Sequence, residues 1–464
     1  MGENTQREKL GSRLGFILLS AGCAIGVGNV WKFPYMTGQY GGGLFVLIYL
    51  ICLVVLGIPI LTMEFAVGRA GQKSPAKMFR TLEPKGTKWH AHGYASLVGN
   101  ILLMMFYTTV AGWMLIYFFK MAKGDFAGLD SGVVSSQFGE MLSNPWQQIL
   151  FMGIVTLLGF LVCGFGVKKG LERITKWMMI ALLVIMVVLA INGFFLAGAG
   201  EGLQFYLVPD FNVLGEKNLF VVLGGAMTQA FFTLSLGIGS MAIFGSYIGK
   251  DRSLLGEAVN VTVLDTFVAV TAGLIIFPAC FTYDVEVSSG PGLIFQALPN
   301  VFNNMPGGRI WGSLFFIFMS FAALSTVFAV FENIIACLED MTGLKRWKIC
   351  VIAGVGLFLL SIPCILGFNA WSGVNILGID IQGMEDFVVS NLLLPIGSMV
   401  FVLFCTLKRG WGYDNFVAEV NEGKGLKIKS WMRIYIKYIL PIIMVIFIII
   451  SLLMFCIDKE FIVI

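Results

Sequence analysis

The chain has 464 residues, 58% of them hydrophobic and only 12% charged, with a formal net charge of +4 and a mean hydropathy of +0.87. A typical soluble domain carries about 25% charged residues, so too few polar side chains remain here to cover a water-soluble surface. The composition reads as an integral membrane protein. Its nine cysteines are scattered through apolar runs without a C-x-x-C pair, which argues against a disulfide framework.

A helix needs about 20 apolar residues to cross the bilayer core. That measure predicts eleven spans, at 14–36, 42–66, 95–120, 146–167, 171–196, 219–247, 255–281, 309–338, 348–368, 386–407 and 435–456. The first has no small-residue cleavage site after Ile25 to Val30, so it reads as a retained helix rather than a signal peptide. Twenty-five of the 31 Lys and Arg residues fall in the N-terminal tail or in the connections at 69–88, 168–176, 250–252, 345–348 and 408–437. Basic residues in short connections set orientation, which predicts a cytoplasmic N-terminus and, after eleven spans, an extracellular C-terminus in the plasma (inner) membrane. The longest outer stretches, near 121–145, 197–217 and 282–308, are too short to form a separate domain.

Two spans read as broken. The first carries Gly22, Gly26 and Gly28 at mid-depth and then Pro34; the sixth carries Ser235-Leu236-Gly237-Ile238-Gly239-Ser240. Glycine costs about 1 kcal/mol in a helix relative to alanine, and non-helical backbone survives inside a bilayer only when buried in protein or lining a cavity. Close helix packing through small residues is the plain alternative for one such cluster. Two, five spans apart, instead point to the binding site of a transporter made of inverted repeats. The expected fold is therefore an all-α membrane protein with 11 transmembrane helices. Residues 1–12 form a tail, 13–200 and 201–410 a 5+5 inverted repeat with helices 1 and 6 broken, and 411–464 an appended eleventh helix.

Several motifs then carry a resemblance. Arg13-Leu14-Gly15, the run Ala21 to Tyr35 (AGCAIGVGNVWKFPY), Gly41-Gly42-Gly43-Leu44-Phe45, Gly57-Ile58-Pro59 with Glu64 and Gly68-Arg69, Gln229 to Gly237, and Ser289 to Phe295 with Leu298-Pro299 together resemble the neurotransmitter:sodium symporter family. The eleven spans look like its prokaryotic amino-acid carriers. The resemblance implies Na+ as the coupled ion, bound at two sites. One takes the Ala24 carbonyl, Asn29, Thr233, Asp265 and a substrate carboxylate; the other takes the Gly22, Ile25 and Ala322 carbonyls with Ser325 and Thr326. Oxygen ligands suit such a hard cation. For Ser325 and Thr326 alone, hydroxyls bonding back to their own helix would be the plain reading.

Asp265 departs from the family pattern. Many relatives carry Asn there and a Ser four residues on, where chloride binds; some chloride-independent ones have Glu at that later position, which here is Ala269. A carboxylate inside the membrane marks function by default, and Asp265, beside Tyr49 and Gln229, is expected to stand in for chloride. Whether it also takes up a proton on the return step stays open. The Val27 and Gly28 amides with the Tyr107 hydroxyl are expected to hold the substrate carboxylate, since half-helix N-termini favour anions. The ammonium would meet carbonyls of Ala24, Phe232, Thr233 and Ser235, and the side-chain space would be lined by Leu103, Tyr107, Phe232, Ser235, Ile238, Thr326 and Val330. No charge faces that space, so a neutral, hydrophobic amino acid is the expected substrate. An outer gate is expected from Lys32 with Asp386, and an inner one from Arg7 with Asp340 near Tyr247.

Rival classes find less support. A membrane enzyme lacks a ligand cluster, since the two histidines, His90 and His92, have no Cys or acidic cluster at metal spacing. Gly245 to Asp251 mimics a phosphate loop but with the wrong spacing. A channel would show repeated pore loops or charged rings. A transport-silent amino-acid sensor of the same fold is the alternative. Expected partners are the amino acid and membrane lipid, with no nucleic acid; the oligomeric state is left open.

Overall fold

The computed structural model describes residues 10–287 and 292–458. Among these, nine helices are long and apolar enough to cross a bilayer. They are Gly43–Gly71 (span 2), Ala91–Lys123 (3), Pro145–Gly164 (4), Val167–Phe194 (5), Leu254–Thr282 (7), Gly308–Thr342 (8), Arg346–Leu366 (9), Ile381–Thr406 (10) and Met432–Leu453 (11). Span 1 is a bent pair, Arg13–Ala24 and Gly28–Gln39, whose halves meet at 53°. Span 6 is Leu219–Thr233 continued by Ser240–Gly245. Each of the eleven predicted spans coincides with one of these helices or with a broken pair. Spans 3 and 8 run longer than the apolar count suggested, at 33 and 35 residues. At 1.5 Å per residue they exceed a hydrocarbon core of about 30 Å, so their ends project past the apolar core that hydropathy detects.

Each break has a backbone cause. At Ile25 the chain turns extended (ψ 95°), and helix resumes with a π-helical turn at Gly28–Lys32. In span 6, Ser235 (φ 50°), Gly237 (φ 92°) and Gly239 (φ 69°) are all left-handed, a conformation that no right-handed helix accommodates. Gly237 is also sterically required, because a Cβ there would sit 2.1 Å from the Leu394 carbonyl oxygen of span 10.

Spans 3 and 8 form the centre, with 72% and 83% of their membrane windows buried, whereas spans 9 and 11 are peripheral at 33% and 28%. The first half of span 1 packs on spans 5, 7 and 8, and the second half of span 6 on spans 2 and 8. Both breaks thus lie at the middle of the bundle. Short helices cap the connections: Pro75–Leu82 after span 2, Ser131–Ser143 after span 3, Ala199–Leu207 after span 5, Leu298–Asn304 after span 7 and Tyr413–Val420 after span 10.

Candidate functional site

The two breaks and span 7 meet at Asp265, which is fully buried. The Asn29 amide donates to an Asp265 carboxylate oxygen at 2.8 Å and to its backbone carbonyl at 3.1 Å. The Thr233 hydroxyl donates to the same carboxylate at 3.1 Å. All these partners are neutral. A carboxylate out of water and without a countercharge is costly, so this cluster of oxygens is suited to a cation. Tyr49 is buried with Asp265 and Thr233 among its polar neighbours. Gln229 donates to the Gly28 carbonyl at 2.7 Å.

A second oxygen cluster lies where span 8 crosses the first half of span 1. The Thr326 hydroxyl stands 3.3, 3.2 and 3.4 Å from the carbonyl oxygens of Gly22, Cys23 and Ile25. The Ser325 hydroxyl stands 3.2 Å from the Ile25 carbonyl and 2.8 Å from that of Ala322. One hydroxyl cannot donate to three carbonyls at once. Oxygens about 2.4 Å from a shared cation, however, lie about 3.4 Å apart at right angles. The five groups expected of the second ion site are therefore together, with the Cys23 carbonyl added.

At the break of span 1 is a narrow cavity of about 10 Å³, lined by Leu103, Tyr107, Phe232, Ser235, Ile238 and Thr326, with Ala24, Gly26 and Gly28. The Tyr107 hydroxyl accepts the Val27 amide at 2.8 Å, and the Asn29 side-chain oxygen accepts the Gly26 amide at 3.2 Å. Val330 is buried in span 8 one turn beyond Thr326. Leu394 of span 10 also lines the cavity; a partner so distant in sequence carries no local signal.

Phe232 lies between this cavity and a second one of about 240 Å³ that reaches Trp31, Tyr35, Asp380 and Asp386. The Lys32 ammonium caps it, 3.2 Å from an Asp386 oxygen, 3.2 Å from the Ser390 hydroxyl and 4.1 Å from the centre of the Phe232 ring. Arg7, expected in the second gate, lies outside the described residues. Asp340 accepts the Ser74 amide at 2.6 Å. The Tyr247 hydroxyl donates to Glu332 at 2.8 Å, and fully buried Glu332 pairs with Arg346, which also reaches Glu339 at 3.3 Å. Sequence reasoning missed Glu332 and Arg346, although a carboxylate within span 8 was the available signal.

Two side chains from other spans hold the break in span 6. The Gly237 amide donates to buried Glu64 at 2.5 Å. The Asn100 amide donates to the Ile238 carbonyl at 2.7 Å, and Ser240 donates to Asn100 at 2.7 Å. These bonds satisfy backbone that has left its helix. Asn100, a polar residue within span 3, was also unremarked in the sequence.

Residues 7–129 and 134–460 match the model of the Sodium:neurotransmitter symporter family. A sodium-dependent transporter of Bacillus subtilis is 34% identical, covering 94% of this chain and 95% of its own. The sodium-dependent serotonin transporter of Drosophila melanogaster is 26% identical, covering 94% of this chain and 75% of its own. Among solved structures, the crystal structure of MhsT in complex with L-phenylalanine matches with a TM-score of 0.87 at 36% identity, over 96% of this chain and 100% of that one. Oxygen clusters suited to cations at two broken spans, in a chain matched almost end to end, place the protein in the sodium:neurotransmitter symporter family, as a multi-pass, sodium-dependent symporter.

Proposed function

We propose that the protein couples two Na+ ions to the uptake of a neutral, hydrophobic amino acid, without chloride, from a cell membrane in which its N-terminus is cytoplasmic. The observation that carries this reading is the Asp265 carboxylate, buried at the first oxygen cluster with only neutral partners. It supplies the fixed negative charge that a chloride ion would otherwise bring to a Na+ ion held by Asn29, Thr233 and the Ala24 carbonyl. The second ion would sit among the Gly22, Ile25 and Ala322 carbonyls, Ser325 and Thr326. The amides at the restart of span 1, Val27 and Gly28, favour the substrate carboxylate. For that carboxylate to reach them, the Tyr107 hydroxyl that accepts the Val27 amide turns to donate to it. The apolar lining from Leu103, Phe232 and Ile238 suits an uncharged side chain, and MhsT is described with L-phenylalanine bound.

Alternating access follows from the two ends. Lys32, Asp386 and Phe232 close the outer path, while Tyr247, Glu332 and Arg346 tie spans 6, 8 and 9 at the inner one. Because substrate and ion share a site, Na+ tightens amino-acid binding and, by linkage, the amino acid tightens Na+ binding.

The test is uptake of labelled leucine and phenylalanine into proteoliposomes, with an inward Na+ gradient and with chloride replaced by gluconate. Uptake is expected to need Na+ and to survive chloride removal, and Asp265→Asn is expected to make what remains chloride-dependent. Abolition of wild-type uptake on chloride removal would refute the charge argument. Na+-dependent binding without uptake would identify a sensor instead.

A further inference from the structure

Spans 4 and 9 leave an apolar groove of about 380 Å³ on the outer surface of the bundle, away from the ion and substrate sites. Two glycines line it, each faced by a phenylalanine of the other span. A Cβ on Gly153 of span 4 would meet Phe358 of span 9 at 3.1 Å, and one on Gly354 of span 9 would meet Phe160 of span 4 at 3.3 Å. Its walls open outward, since Leu157 is 60% and Val355 58% exposed.

One end of the groove is basic. Positions 351, 354, 355 and 358 of span 9 line the groove, and one turn back on the same stripe stand Trp347 and Lys348. Trp347 is 61% exposed, with the Lys348 ammonium 5.7 Å from its ring centre. Lys345 and Lys348 are both exposed. Arg346 between them is already held by Glu332 and Glu339, and by the Cys163 carbonyl at 2.9 Å. That last bond fixes the start of span 9 against the end of span 4. A slot for hydrocarbon, an interfacial tryptophan and two ammonium groups at one mouth complement a molecule with an acyl chain and an anionic head.

We propose that this groove binds one anionic phospholipid, with an acyl chain lying between Gly153 and Gly354 and the headgroup phosphate at Lys345 and Lys348. The site is separate from the transport path and holds whether or not the reading of the substrate is right.

The test is native mass spectrometry of the full chain in detergent, titrated with phosphatidylglycerol or phosphatidylcholine of identical acyl chains. One phosphatidylglycerol is expected to be retained in preference to phosphatidylcholine. Joint Lys345→Ala and Lys348→Ala changes should weaken that preference by about fivefold per lysine. Gly354→Leu, which fills the slot, should reduce retention of both lipids. Gly356→Leu on the same span, where a Cβ meets nothing within 4 Å, should reduce neither. Should Gly354→Leu fail to fold, the surface lysine pair alone decides. Equal retention of the two lipids, or an unchanged preference in the lysine variant, would overturn the proposal. So would a dimer that Gly354→Leu abolishes, which would assign the face to a second copy of the chain.

Discussion

A methyl group added to Gly26 would sit 2.2 Å from the Tyr107 hydroxyl oxygen and 2.4 Å from that of Thr326. Glycine is required there because two functional oxygens occupy the space that a side chain would take. Thr326 belongs to the second oxygen cluster and Tyr107 holds the Val27 amide, so crowding at this point acts on ion and substrate together. Gly26→Ala is therefore expected to lower both Na+ affinity and amino-acid affinity, each by about tenfold or more, since displacing one hydroxyl from its partners costs about 1–3 kcal/mol. Scintillation-proximity binding of labelled amino acid across a Na+ titration would measure both. A variant with unaltered Na+ dependence would show that Thr326 does not contribute to the ion site. Gly26 was legible in the sequence as one of a cluster of mid-span glycines, but what crowds it was not. Tyr107 and Thr326 are 81 and 300 residues away, and no local pattern encodes such a distance.

At the scale of the element, the same contrast separates what the sequence reveals from what it hides. The breaks in spans 1 and 6 are readable because glycine weakens a helix wherever it stands, and its cost inside a bilayer needs no knowledge of neighbours. The groups that hold each break are supplied by other spans: Glu64 and Asn100 for span 6, Asp265 for span 1. Helix ends were also hidden, because hydropathy reports only the apolar core that spans 3 and 8 outrun. Span 6 meets span 10 backbone to backbone at two glycines. A Cβ on Gly237 would meet the Leu394 carbonyl at 2.1 Å, and one on Gly397 the Gly237 carbonyl at 2.1 Å. Gly237 further requires a φ of 92°, which disfavours any side chain by about 1–2 kcal/mol before contacts are counted. Gly237→Ala is expected to push the break in span 6 off span 10 and abolish uptake. Gly164→Ala, at the end of span 4 with nothing within 4 Å of its Cβ, should leave uptake near wild type. Surface expression and proteoliposome uptake, measured together, would separate loss of folding from loss of transport.

Across the whole molecule, one buried cation joins parts that hydropathy alone would leave as separate loops. Arg69, at the end of span 2, is 1% exposed. Its guanidinium pairs with Glu419 at 2.5 Å, in the short helix between spans 10 and 11, and donates to the Arg252 carbonyl between spans 6 and 7 at 2.8 Å. Backbone bonds extend the tie, since the Lys424 amide donates to the Asp251 carbonyl at 2.9 Å and the Ser253 amide to the Lys424 carbonyl at 3.0 Å. The first repeat, the second repeat and the appended span are thus fastened to one another on a single face. Removing one partner of a buried pair is costly because the other charge stays buried and uncompensated, by about 3 kcal/mol or more. Glu419→Ala is therefore expected to lower the melting temperature of the detergent-solubilised protein clearly. Glu422→Ala removes a carboxylate 3.0 Å from the 60%-exposed Lys250 ammonium and should change it little, as surface pairs contribute little. If the tie also has to loosen for the inner path to open, Glu419→Ala will raise the labelling rate of a cysteine placed at Ser325 relative to the same cysteine in the intact pair. An unchanged labelling rate with a lowered melting temperature would make Arg69 and Glu419 a structural clamp with no part in gating.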